Sequence, residues 1–406
     1  MQTYPKTITK QYLAKNVYES AVERIESIFN EFENVYFSFS AGKDSGVMVQ
    51  IALDIAKKKN RLPLNILFID LEAQYKATID HAAEILLRDD VSAYWICLPM
   101  NLRNAVSAFQ PQWICWDPKE KDKWVREMPS HDCVVSDEKY FPFFRLGMEF
   151  EEFIVDFAKW FRHKNGDKKT ACLVAIRTDE SLNRFRTIKS MKKTRYKNLG
   201  HSTKLDEGIY NFYPVYDWKT EDVWTAIGKF NWSYNKIYDF MYMQGKSIHE
   251  SRICQPYGDD QRKGLDLFRK CEPETWAKVV NRVSGSNFGN IYCRSFLLGN
   301  RKIILPEGHT WKSYAKFLLE TMPKYEAEWY KRKFKVFFDW WEKHGYPIDK
   351  IPDKADPKLE ANKDLPSWRR IAKCIMKNDK LCKSLSFGQT KYQYNKYMAL
   401  REIYGE

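Results

Sequence analysis

The chain has 406 residues and a formal net charge of +14, from 67 Lys and Arg against 53 Asp and Glu. Its hydrophobic fraction of 44% excludes wholesale disorder, and no apolar run approaches the roughly 18 residues of a membrane span. The polar start at Met1–Lys10 has no apolar signal core, and nine cysteines without a Cys-x-x-Cys pair are expected as free thiols in a reducing cytoplasm.

In chain order, Val17, Ala21, Ile25, Ile28, Phe29 and Phe32 form a helical stripe. Strands are expected at Val35–Phe39, Leu64–Ile69, Ala93–Leu98, Ala171–Ile176 and Phe212–Val215, with helices at Val47–Lys58, Thr78–Leu87 and Glu149–Arg162 between them. That alternation predicts an α/β fold with a parallel, Rossmann-like sheet, whose ligands sit beyond the carboxyl ends of the strands. Two domains are expected, at 1–230 and 231–406, the second mainly helical. Thr220 is expected to cap a helix that begins with Glu221 and Asp222.

The first strand ends in Ser40-Ala41-Gly42-Lys43-Asp44-Ser45-Gly46, where small residues and backbone N–H groups meet a helix N-terminus. A pyrophosphate can approach the main chain there. The loop is not a Walker A motif: Asp44 follows Lys43, and Phe37 stands where the earlier Gly would be. From Asn183 to Leu205 there is no acidic residue, but Arg184, Arg186, Lys189, Lys192, Lys193, Arg195, Lys197 and Lys204 are present. A lid over a polyphosphate, a nucleic-acid contact and a solvated basic loop are the three readings. Residues 99–148, with Trp113, Trp116 and Trp124, are read as a packing unit before a substrate wall, and Cys97, Cys115 and Cys133 as buried thiols. Toward the C-terminus, Trp311, Tyr314, Phe317 and Leu318, then Trp329 to Trp341, form aromatic helical stripes of core type. Lys331, Arg332, Lys333 and Lys335 lie beside them, and Ile351–Pro357 reads as a linker.

The Ser40–Ser45 loop resembles the PP-loop of the ATP pyrophosphatase superfamily, in particular its phosphoadenylylsulfate (PAPS) reductase-like branch. Leu67-Phe68-Ile69-Asp70 is similar to the branch's second strand with its terminal Asp. Arg177-Thr178-Asp179-Glu180-Ser181-Leu182-Asn183-Arg184 resembles its Arg-x-x-Glu-Ser-x-x-Arg signature, and Pro214 to Trp224 its Pro-x-x-Asp-Trp element containing Asp217. The resemblance implies an adenine nucleotide alpha hydrolase-like sheet and a site for ATP or a related adenine nucleotide. It implies that Ser38, Ser40, Gly42, Lys43, Asp44 and Ser45 hold the nucleotide, with Asp70, Glu180 and Asp217 nearby. Lys43, Asp44, Arg177 and Arg184 are the expected catalytic set, and Asp44 the expected Mg²⁺ ligand. Glu180 either orients Arg177 or forms a structural salt bridge. Asp70 binds metal or ribose, or caps the next helix.

The stretch from Tyr238 to Gly264, together with Glu272–Trp276, Pro366–Arg370 and Ser386–Lys391, resembles the subgroup that carries the DUF3440 region and includes an immunoglobulin-binding regulator. One departure bears on activity: no Cys follows Cys382, so the Cys-Gly-x-His segment of sulfate-reducing members is missing along with its thiolate. Sulfonucleotide reduction is therefore the least favoured reading. The first is adenylyl or sulfur transfer at the α-phosphate of ATP, toward DNA, RNA or a nucleotide. The second is a nucleotide-binding regulator acting through DNA or a ParB-like partner. His249 is an acid/base candidate only by its place in the dense segment. Cys254, Cys271 and Cys293 with Cys374 or Cys382 lack the short spacings of an iron–sulfur or zinc site, and buried thiols are the better reading.

Overall fold

Asn16 opens helix α1 (Val17–Glu31) with a capping box: its side chain accepts from the Glu19 amide at 2.9 Å, and Glu19 accepts from the Asn16 amide at 3.2 Å. The helix buries Ala21, Ile25, Ile28 and Phe29. There follow β1 (Asn34–Phe39), α2 (Lys43–Lys58), β2 (Leu64–Ile69), α3 (Lys76–Leu86) and β3 (Val91–Ile96). A hairpin of β4 (Asn101–Arg103) and β5 (Gln112–Ile114) comes next, then β6 (Val134–Val135), α4 (Phe150–Lys164) and β7 (Thr170–Val174). Helix α5 (Leu182–Lys189), β8 (Ser202–Asp206), β9 (Ile209–Phe212), α6 (Thr220–Phe230) and α7 (Ile237–Met243) lead to α8 (Leu265–Cys271) and α9 (Pro273–Arg282). The structure, a computed structural model, describes residues 13–107, 110–189, 193–253, 257, 265–287, 305–343, 345–362, 365–377, 379 and 382–385.

Seven strands form one sheet in the order β6-β3-β2-β1-β7-β9-β8, parallel except where β8 runs against β9. β1 lies at the centre, with Phe37 opposite both Ile66 and Leu173. Val35, Tyr36, Phe37 and Phe39 are all buried, because helices cover both faces of a parallel sheet and leave no polar side for alternation. The chain runs outward from β1 through β2 and β3 to β6, then returns to place β7 on the other flank of β1. Strand order therefore reverses between β1 and β7, and a crevice opens above their carboxyl ends.

The α/β fold and parallel Rossmann-like sheet expected from the sequence are present. Three local differences stand beside that agreement. Helix α2 begins at Lys43, inside the loop. Lys219, not Thr220, is the N-cap of α6; its amide donates to Asp222 at 2.7 Å while Thr220 is buried. The acid-free stretch runs into strand β8, an antiparallel edge held by β9 that carries no strong alternation of its own. Residues 99–148 pack into the core through Trp113 and Trp116, both nearly fully buried, with Trp124 against Trp116 edge-on at 5.1 Å.

Two compact units divide the chain, Met1–Asn287 and Phe288–Glu406. Within the first, Tyr238, Met241, Tyr257, Phe268 and Trp276 belong to the same core as the sheet. The second contains α10 (Trp311–Thr321), α11 (Lys324–Lys343), α12 (Pro357–Asn362) and α13 (Trp368–Met376), around Trp311, Tyr330, Phe334, Phe337 and Ile371. All of its described regular structure is helical. The expected linker is tied into this unit: the Pro352 and Asp353 carbonyls accept from the amides of Trp368 and Arg369, and Ile351 is buried.

Candidate functional site

The loop after β1 is stabilised from within. Ser45 Oγ accepts from the Ser40 amide at 3.2 Å, lies 3.0 Å from Ser40 Oγ and donates to the Gly42 carbonyl at 3.1 Å. Ala41 takes φ 53°, a left-handed conformation that costs an L-residue about 1–2 kcal/mol. Its carbonyl accepts from Asn235 Nδ2 at 3.0 Å, and the same Nδ2 donates to Thr78 Oγ1 at 2.9 Å. Asn235 is fully buried, and its Oδ1 accepts from the Ile237 amide at 3.0 Å, so one side chain ties the loop to α3 and α7. Gly42, the N-cap of α2, offers no side-chain cap to that helix. A Cβ there would stand 3.3 Å from Ser40 Oγ and 3.5 Å from Tyr238 Oη, a close fit that would press the Ser40 hydroxyl aside by a few tenths of an ångström.

Lys43, Asp44 and Arg177 converge across the β1–β7 junction. Asp44 Oδ1 accepts from Arg177 Nε at 2.5 Å, and Lys43 Nζ lies 3.5 Å from Asp44 Oδ2. Arg177 is 2% exposed and also donates to the Trp218 carbonyl at 3.4 Å. Lys43, 5% exposed, donates through Nζ to the Ser251 carbonyl at 3.3 Å. Glu180 sits on the following turn, its carboxyl raised above the usual range by burial and then pulled back by Arg184. Arg184 Nη1 is 2.9 Å from Glu180 Oε2. That oxygen nevertheless makes no well-aligned hydrogen bond, so the pair is a charge contact. Arg252 donates to the Glu180 carbonyl. Two carboxylates thus stand among four cations: Lys43, Arg177, Arg184 and Arg252.

The other residues expected at the site have the following surroundings. Ser38 lies within β1, half-buried. Asp70, at the carboxyl end of β2, accepts from Trp95 Nε1 at 2.9 Å and the Glu72 amide at 3.0 Å, and pairs with Arg126. Asp217 holds Arg24 of α1 in a two-pronged pair at 2.8 and 2.7 Å, and Arg24 also donates to the Pro214 carbonyl at 2.7 Å. His249 is exposed, with Nε2 3.5 Å from Glu221. Much of the basic stretch is used internally: Arg195 donates to the Ile188, Gly200 and Ser202 carbonyls, Lys197 pairs with Glu31 and Lys204 with Glu207. Cys254, Cys293, Lys192, Ser386–Lys391 and most of residues 254–264 lie outside the described residues.

Asn235 and the paired roles of Tyr238 and Ser251 carry no sequence signature, since each acts through a contact some 200 residues away in the chain. The only hint was the density of polar and aromatic side chains after Tyr238.

Comparison with known proteins bears on this arrangement. Residues 34–244, more than half of the chain, match the phosphoadenosine phosphosulfate reductase domain. The chain belongs to that family. Residues 245–354 and 346–396 match a domain of unknown function, DUF3440. The uncharacterized protein YbdN of Escherichia coli strain K12 is 38% identical over 399 residues, covering 96% of this chain and 95% of YbdN. The phosphoadenosine phosphosulfate reductase domain therefore contains the loop, Arg177 and α7, and the family resemblance read from the motifs is shown.

Among solved structures, FMN adenylyltransferase from Candida glabrata is 16% identical with a TM-score of 0.32, over 58% of this chain and 63% of its own. PAPS reductase from Candida auris is 15% identical with a TM-score of 0.27, over 57% and 94%. NH3-dependent NAD synthetase from Campylobacter jejuni is 12% identical with a TM-score of 0.28, over 71% and 98%. With TM-scores this low, the fold assignment rests on the strand order itself. Among the described residues no helix is long and apolar enough to cross a membrane.

Proposed function

We propose that the protein binds ATP or a related adenine nucleotide above β1 and β7 and acts at its α-phosphate. The observation that carries this reading is the convergence of Lys43, Asp44 and Arg177 at the switch point, on the loop that opens α2. Ser40, Gly42, Lys43 and Ser45 would hold the pyrophosphate, where the helix dipole and close backbone favour an anion. Arg177 and Arg184 would offset charge that grows on the phosphates in the transition state. Both already face carboxylates, so neither cation stands unpaired before a phosphate arrives.

A magnesium ion fits this scheme. Among the described residues no group of three or more His, Cys, Asp or Glu could hold a metal alone. Mg²⁺ usually keeps waters and combines one or two carboxylates with substrate phosphates. Asp44 would be its carboxylate, and the ion would supply positive charge against the phosphates.

Transfer of an adenylyl group or of sulfur, toward a nucleic acid or nucleotide, is the reaction class we favour. Burial pushes the thiols of Cys97, Cys115, Cys133, Cys172 and Cys271 upward, to about 12 for Cys172 and about 11 for Cys271. These are protonated at neutral pH, which argues against them as attacking thiolates. Exposed Arg186, Lys189 and Lys193, which have no charge partner among the described residues, favour a polyanionic acceptor. The test is incubation with α-labelled ATP and Mg²⁺, with and without DNA or RNA. AMP and pyrophosphate release, or label on nucleic acid, is the expected result; tight binding without any turnover would overturn the catalytic part.

A further inference from the structure

The segment from Asn235 to Arg252 makes two kinds of contact with the loop, and they differ in what they would do to an anion. Asn235 binds the Ala41 carbonyl, an acceptor that a phosphate cannot use, so this contact supports the loop. Tyr238 and Ser251 bind donors. The Lys43 amide, at the first turn of α2, donates to Tyr238 Oη at 3.1 Å, and Lys43 Nζ donates to the Ser251 carbonyl at 3.3 Å. The Tyr238 ring also lies 5.1 Å from Nζ, a cation–π distance. The backbone donor and the side-chain cation of Lys43 are therefore both turned toward one segment of the same chain.

We infer that this segment is an autoinhibitory strap: Tyr238 and Ser251 occupy the phosphate-binding donors of Lys43, and a nucleotide binds by displacing them. The inference rests on the nucleotide-binding reading of the loop. Neither group depends on the loop for its position. Tyr238 is buried with its ring packed edge-on against Trp224 at 5.4 Å, so the hydroxyl is aimed by packing rather than by the loop. Ser251 offers only a backbone carbonyl, held by a turn in which its amide and hydroxyl both donate to the Ser247 carbonyl at 3.1 and 2.9 Å. At the start of the segment, Asn235 keeps the loop in shape whether or not the donors are taken. Support and blockade thus come from separate groups on one segment.

Tyr238→Phe keeps the ring, its packing on Trp224 and the cation–π contact, and deletes only the hydroxyl. It removes a hydrogen bond from the closed form that the nucleotide-bound form does not have. Binding of ATP, and of inorganic pyrophosphate alone, should tighten roughly two- to tenfold, the effect of one ordinary hydrogen bond. Calorimetric titration of the full chain and the variant reads this directly. Equal or weaker binding in the variant overturns the strap while leaving the nucleotide site standing. Absence of binding in both proteins overturns the site and the strap together. Hydrogen exchange gives a second measurement independent of the substitution: ATP should raise exchange across residues 237–251 of the wild-type chain, and increased protection there overturns displacement.

Discussion

Asp44 is one carboxylate between two buried cations, and that arrangement makes Lys43 the informative residue to change. Lys43→Ala leaves the Asp44–Arg177 pair intact, so no buried charge is orphaned, but it removes the loop's only cationic side chain. ATP affinity should fall at least roughly tenfold, the scale of a lost charge-assisted hydrogen bond, with the melting temperature within a few degrees of wild type. Unchanged ATP affinity would sink the assignment of the loop. The three residues were legible as a group because the PP-loop and the Arg-x-x-Glu-Ser-x-x-Arg signature are local in sequence. Their mutual contact was not, because Asp44 and Arg177 meet only when β7 is laid beside β1.

At the scale of elements, two polar clamps fix helices to the sheet, and each predicts a measurable cost. The first pins α1 to the segment after β9 through Arg24 and Asp217, with Arg24 4.7 Å over the Tyr216 ring and His201 stacked on Tyr216 at 6.0 Å. Burial, and then the charge of Arg24, pushes His201 down to about 4. The folded protein therefore holds His201 neutral, while the unfolded chain protonates it near pH 6.5. Stability is fully present above about 6.5 and is lost as pH falls toward about 4, on the order of 3 kcal/mol in all. Thermal midpoints across that window should fall less steeply in His201→Gln than in wild type.

The second clamp joins the turn after β2 to α9. Glu72, in a left-handed conformation at φ 63°, accepts from Arg282 Nε at 2.8 Å and from the Trp116 and Val125 amides at 2.6 and 3.1 Å. Arg282 donates also to the Ile114 carbonyl at 2.6 Å. Arg282→Met should cost about 3–5 kcal/mol because it strands a buried carboxylate. Adding Glu72→Gln should recover part of that loss in denaturant titrations; a double variant no better than the single would show that the amide bonds, not the charge pair, carry the stability. Neither clamp was visible beforehand. Asp217 was assigned to the nucleotide by resemblance and Glu72 was given no role, and their partners Arg24 and Arg282 come from distant segments.

For the whole molecule, the net charge of +14 predicts attraction to polyanions, but only part of it is available. Arg195, Lys197 and Lys204 are spent on carbonyls and carboxylates, whereas Arg186, Lys189 and Lys193 remain exposed without a charge partner among the described residues. On the proposed reading that the acceptor is a nucleic acid, replacing these three with Ala should weaken single-stranded binding uniformly across sequences and flatten the salt dependence by about two units in the log–log slope. A slope identical to wild type would place the contact elsewhere.

The sequence by itself determined the parallel α/β sheet, the loop on β1, the family and the helical character of the last third, because strand–helix alternation and short motifs are encoded locally. Even the buried strands were readable, since a sheet covered on both faces demands continuous apolar runs. Tertiary structure alone decided which polar residues share a site. Asp217 meets Arg24 and Asp70 meets Arg126, and Asn235, Tyr238 and Ser251 come to the loop from about 200 residues away. Charge and hydrogen-bond partners depend on distances in space, and those are set by strand order and packing rather than by any spacing along the chain.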